Sequence, residues 1–141
     1  MKVFLDTNVV LDGILPGRTY EKDSVTLMKM GVPDNIWFRI ASISLPTIVY
    51  CTRKHLTREE ILRRLTHINS NWQVLSVGFG ETWSALHSPC PDFEDAMQIA
   101  AAELESDVIV TGDKKHIAPY TCLPVFTPAE FLEELRGHSG D

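Results

Sequence analysis

The chain has 141 residues, 44% of them hydrophobic, which suits one domain, 1–141, built around a single core. Nineteen acidic residues against 13 basic ones give a net charge of −6, which argues against a protein that coats DNA through bulk positive charge. It leaves room for an enzyme that gathers carboxylates around cations, because bound metal reverses the local field. Cys51, Cys90 and Cys122 form no CxxC or Cys/His cluster, and no apolar run suits a signal peptide or a membrane span, so a cytoplasmic chain with free thiols is expected.

Lys2-Val-Phe-Leu-Asp6 reads as a buried strand that ends on a polar residue. Apolar residues at 9, 10, 11, 14 and 15 predict a helix over Thr7–Leu15, stopped by Pro16-Gly17, and a second helix spans Tyr20–Met30 before Gly31 and Pro33. Ile36–Ser44 mixes β-branched and aromatic residues and contains a strand. A helix starts near Pro46. Thr57-Arg-Glu-Glu60 is a capping box that opens another helix through His67. Trp72–Val77 is a strand and Glu81–His87 a short helix, ended by Pro89-Cys-Pro91. Asp92 is an N-cap for Phe93–Glu105, whose stripe of Phe93, Ala96, Met97, Ala100, Ala101 and Leu104 has helical spacing and packs closely through its alanines. Asp107-Val-Ile-Val-Thr111 is a strand apolar throughout, as a parallel strand covered on both faces must be. A short strand at Pro124–Phe126 precedes a second capping box, Thr127-Pro-Ala-Glu130, and a last helix to about Arg136.

Strands alternating with helices predict an α/β fold: three α/β/α layers with a central, mainly parallel sheet. Ligands of such sheets bind beyond the carboxyl ends of the strands. Two strands run into aspartates, Asp6 and Asp113, and the helix at 93–105 carries Asp95 in its first turn. Each has an ordinary reading alone: Asp6 as a cap, Asp113 as a turn residue, Asp95 as a favourable charge at a helix start. Their meeting at one sheet edge is harder to explain by chance. Converging carboxylates repel unless cations join them, and oxygen-only donors favour Mg²⁺ or Mn²⁺ over zinc. Such ions bridge phosphate oxygens and acidify a water, which points to phosphodiester hydrolysis.

Three segments carry a family resemblance. Val3-Phe-Leu-Asp6-Thr7-Asn8-Val-Val-Leu-Asp12 resembles the opening of PIN domains, Asp92-Phe-Glu-Asp95-Ala-Met-Gln-Ile-Ala-Ala101 their second acidic motif, and Val108-Ile-Val-Thr111-Gly112-Asp113-Lys114-Lys115-His116 their Thr-x-Asp motif. Order, spacing and length agree over nearly the whole chain. The resemblance implies a metal-dependent ribonuclease, often the toxin of a type II toxin–antitoxin pair of the VapC kind. It implies Asp6, Asp95 and Asp113 as metal ligands, Asn8 and Thr111 as residues that orient carboxylates or the attacking water, and a 5′-phosphate product. RNA, a cognate antitoxin and a second copy of the chain are the implied partners.

One position departs from the pattern. Many PIN domains carry a glutamate early in the helix after the second strand, where this chain has Thr47 in Ser42-Ile-Ser-Leu-Pro46-Thr47. Asp92 is the expected substitute, with Asp12 as another. A weak or inactive PIN fold that binds RNA or protein is the alternative function. A haloacid-dehalogenase-type phosphotransferase would want a second aspartate two residues after Asp6, where Asn8 stands, and a receiver-like domain would want paired acids near the N-terminus.

For substrate, Lys114 and Lys115 follow Asp113 directly and are the best-placed cations, and His116 shares their location. The stretch from Arg53 to His67 reads first as a solvated helix face, with Glu59 and Glu60 paired to Arg63 and Arg64. Trp37, Trp72 and Trp83 read as core or interface residues.

Overall fold

The computed structural model describes residues 1–139, with side chains as far as Gly137. The last two residues of the expected 1–141 unit lie outside the described residues.

Five strands, β1 (Lys2–Leu5), β2 (Trp37–Ala41), β3 (Gln73–Leu75), β4 (Val108–Val110) and β5 (Val125–Phe126), form one sheet in the order β3-β2-β1-β4-β5. Every pair is parallel, which sharpens the expected mainly parallel sheet. The chain steps outward from β1 through β2 to β3, then returns to place β4 on the other side of β1. The order therefore reverses between β1 and β4, which is where an open α/β sheet leaves its crevice.

Alternation along the strands feeds two apolar layers. Val3 and Leu5 of β1 and Val108 and Val110 of β4 point to one face. There they meet Val9 and Val10 of α1 (Thr7–Ile14), Leu27 of α2 (Glu21–Met28), Ile48 of α3 (Ser44–Thr52), Ile68 of α4 (Arg58–Asn71) and Phe131 of α8 (Pro128–Ser139). Phe4 and Ile109 point to the other face. That layer holds Ala85 of α5 (Phe79–Leu86), Ala96, Ile99, Ala101 and Ala102 of α6 (Phe93–Glu105) and Ile117 of α7 (Lys114–Ile117). Burying each large apolar side chain contributes about 1.5–3 kcal/mol, so both layers are needed to hold the sheet. The alanines of α6 bring its axis close to the strands, and with it the acidic first turn.

Local chemistry sets the element ends. The Asp95 N–H donates to Asp92 Oδ1 at 2.9 Å, so α6 starts at Phe93. The Thr57 box closes with Glu60 N–H on Thr57 Oγ1 at 3.2 Å and Thr57 N–H on Glu60 Oε2 at 3.3 Å. The Thr127 box closes likewise at 3.2 Å and 2.9 Å. Gly17 takes a φ of 79°, a left-handed turn that suits glycine and sends the chain away after α1.

Several bounds differ from expectation. Helix α4 continues one turn past His67, because Ile68 is buried against the sheet. Helix α2 is shorter at both ends, and α5 begins at Phe79, where the Gly78 N–H meets Glu81 Oε2 at 3.2 Å. The four-residue α7 and the 3-10 turns at 32–34 and 118–120 are too short to show a period in the sequence.

Candidate functional site

Leu5 lies opposite Val110 in the β1–β4 ladder, so the next residues, Asp6 and Thr111, leave the sheet side by side. Thr111 Oγ1 donates to Asp6 Oδ2 at 2.8 Å and accepts the backbone N–H of Asp113 at 3.0 Å. One buried hydroxyl thus links both strand-end aspartates. Asp6 is only 4% exposed, and its carboxylate is held by the Thr111 hydroxyl at the head of the crevice.

A second network fixes α6 against this point. The Thr7 N–H donates to Gln98 Oε1 at 3.2 Å, and Thr7 Oγ1 shares a 2.6 Å hydrogen bond with Ser44 Oγ. Thr7, Ser44 and Gln98 are all buried and tie α1, α3 and α6 together. Asp95 lies one turn before Gln98 on the same helix face, and so it is directed toward Asp6.

The electrostatics agree with that convergence. Asp95 is pushed up to about 7 by burial first, then by the charges of Asp6, Asp92, Asp113 and Glu94. Burial also raises Asp6; the Thr111 hydroxyl, Gln98 and the Asn8 backbone oppose it, and Glu94 adds to it. The charges that act on Asp95 are those of other carboxylates. Asp12, the other expected substitute, is paired with Arg18, whose Nε lies 2.6 Å from Asp12 Oδ1.

Among the described residues, no three acidic, histidine or cysteine side chains are drawn together tightly enough to enclose a metal ion as they stand. The donor set still fits a hard divalent cation. It is all oxygen, and one of its members is buried.

The remaining expected residues are placed as follows. Asp92 is exposed and its carboxylate caps α6. Asn8 is exposed at the rim. Lys114 Nζ is held by Glu130 at 3.1 Å, while Lys115 is exposed. Asp113 Oδ1 pairs with His116 Nδ1 at 2.6 Å.

Two residues not singled out in the sequence join the site. Gln98 is one; its buried amide gives no signal until Thr7 is known to face it. Glu94 is the other. Thr47 Oγ1 lies 3.4 Å from Glu94 Oε1, which brings a carboxylate to the residue where the usual glutamate is missing.

Away from the acids, a groove of about 370 Å³ runs between α1, α2 and α4, with Ile14, Met28 and Trp72 in its walls and Lys29, Arg63 and Arg64 at its edge. The expected Glu60–Arg64 pair does not form, since Glu60 closes the capping box. Of the tryptophans, Trp72 is buried, whereas Trp37 and Trp83 are 44% and 57% exposed.

A PIN-domain family profile matches residues 2–115. Solved structures of similar fold include VapBC2 from Rickettsia felis bound to a promoter DNA fragment, at 18% identity and a TM-score of 0.66, covering 89% of this chain and 97% of that one. A toxin–antitoxin complex from Klebsiella pneumoniae has 16% identity and a TM-score of 0.64, covering 89% and 97%. FitAcB from Neisseria gonorrhoeae has 16% identity and a TM-score of 0.62, covering 90% and 98%. No curated protein matches the sequence.

Proposed function

This chain belongs to the PIN-domain family, and on that premise we propose that it is a Mg²⁺- or Mn²⁺-dependent ribonuclease and the toxin of a toxin–antitoxin pair. The observation that carries the reading is that the charges of Asp6 and Asp113 both act on Asp95 beside the point where β1 and β4 part. Asp6, Asp95 and Asp113 would hold the metal. A divalent ion bound there supplies charge for phosphate oxygens and acidifies a water for in-line attack.

The rest is the work of the chain itself. Thr111 fixes the Asp6 carboxylate and the turn that carries Asp113. Thr7, Ser44 and Gln98 tie α6, which carries Asp95 one turn before Gln98, to α1 and α3. Asp92 starts the helix that presents Asp95, and its charge adds to the local field. His116 orients Asp113. Asn8, exposed at the rim, orients water or substrate, and Lys115 meets the RNA backbone. Lys114 reaches phosphate only by leaving Glu130.

An antitoxin partner is supported by the complexes that share this fold. The groove between α1, α2 and α4, apolar within and basic at its edge, suits an amphipathic segment of such a partner. Exposed Phe79, Trp83 and Leu86 on α5 support self-association. Among the described residues, no helix is long and apolar enough to cross a membrane, in keeping with a cytoplasmic site of action. Thr47, in place of an acid, favours the second reading, a PIN fold that binds without cutting.

The test is cleavage of RNA with Mg²⁺ or Mn²⁺, run beside Asp6→Asn, Asp113→Asn and a chelator. Cleavage by the wild type that both variants and the chelator abolish supports the nuclease. RNA binding without cleavage supports the second reading.

A further inference from the structure

We propose that Glu94 is the fourth carboxylate of the metal site, supplied by α6 in the place that α3 leaves to Thr47. The inference rests on the metal-binding part of the proposed function and extends it to a residue that no motif identifies.

Three observations support it. First, the Thr47 hydroxyl is 3.4 Å from Glu94 Oε1, so the Glu94 side chain crosses from the first turn of α6 to α3. A hydroxyl held firmly by a carboxylate sits at about 2.5–2.7 Å. At 3.4 Å the Thr47 hydroxyl, which lies equally far from the Ile43 carbonyl, holds Glu94 only loosely. Second, Thr47 and Glu94 are complementary in charge count. An acid at both positions would set two carboxylates against one another, whereas threonine at 47 leaves room for one. Third, Glu94 sits beside Asp95 in the first turn of α6, and its charge acts on the buried Asp6. Asp92, the other acid of this turn, has its Oδ1 occupied by the Asp95 N–H at 2.9 Å. The longer glutamate makes the crossing, while the shorter Asp92 starts the helix.

The experiment is Mn²⁺ binding to the full chain, read by calorimetry and by the EPR signal of free Mn²⁺, with no RNA present. The proteins are the wild type, Asp6→Asn, Glu94→Gln, Asp92→Asn and the double variant Thr47→Glu/Glu94→Gln. Glu94→Gln is expected to weaken Mn²⁺ binding by at least about tenfold, the scale set by loss of groups that support a metal ligand. The double variant is expected to recover most of that loss, because it returns one carboxylate to the same place from α3. Circular dichroism establishes that each variant is folded. Wild-type affinity in Glu94→Gln overturns the proposal, as does a loss in Asp92→Asn that Glu94→Gln does not share, or a loss in Glu94→Gln that Thr47→Glu leaves unrepaired. If Asp6→Asn abolishes binding and Glu94→Gln does not, only the role of Glu94 falls. If Asp6→Asn also binds Mn²⁺ like the wild type, the metal-binding reading itself falls.

Discussion

Replacing Asp95 with asparagine should make the metal-free protein more stable at pH 8. In the fold, Asp95 keeps its proton up to about pH 7, because burial and four neighbouring acids oppose its charge. Its ordinary value is 3.8, so the unfolded chain releases that proton much earlier. The raised value means this group costs stability as pH climbs from about 4 to about 7, and adds no further cost above that. At about 1.36 kcal/mol per pH unit the ceiling is about 4 kcal/mol. Asp95 is only half-buried, and screening by solvent reduces this to about 1–2 kcal/mol. An acid in the first turn of a helix gains about 0.3–1 kcal/mol from the helix dipole, which Asn gives up. Crowding exceeds the dipole, and about 1 kcal/mol remains. For a chain of this length that is about 3–4 °C in Tm. Thermal unfolding followed by circular dichroism in EDTA, at pH 8 and pH 4, measures it. Asp95→Asn should melt above the wild type at pH 8, and the gap should close at pH 4. Equal melting at both pH values would refute the crowding of charge on Asp95. Saturating Mn²⁺ should reverse the order, since an ion at a hundred times its Kd stabilises by about 2.7 kcal/mol whichever protein retains the site.

Thr111→Val removes the hydroxyl that serves both Asp6 and the Asp113 N–H. Leaving such buried groups short of a partner costs about 1–3 kcal/mol, to be read as a lower urea midpoint. Thr57→Ala removes the cap of α4. It should cost about 1 kcal/mol, Thr57→Ser should restore it, and RNA cleavage should be unaffected.

The frame of the site was legible from the sequence because it depends on local rules. Val3-Phe-Leu and Val108-Ile-Val are apolar throughout, as doubly covered parallel strands require, and both run into the crevice through polar residues. Asp92 fixed the start of α6 by capping chemistry alone. What was not legible depends on contacts between distant segments. Glu94 reads as a solvated first-turn acid until α3 is known to pass beside it. The partnership of Gln98 with Thr7 spans 91 residues. Glu60 had two local uses, as a partner of Arg64 or as a cap, and spacing alone does not choose between them; the fold spends it on the cap. Arg18 claims Asp12 across the turn after α1, which no periodicity reports.

The proposed nuclease requires that Asp6, Asp95 and Asp113 hold a divalent cation where β1 and β4 part. Anomalous diffraction from crystals grown in millimolar Mn²⁺ tests it most directly. A peak is expected in that crevice, bound by oxygens of Asp6, Asp95 and Asp113 and absent from Asp6→Asn crystals. A crevice without a peak at saturating Mn²⁺, or a peak that survives Asp6→Asn, would contradict it.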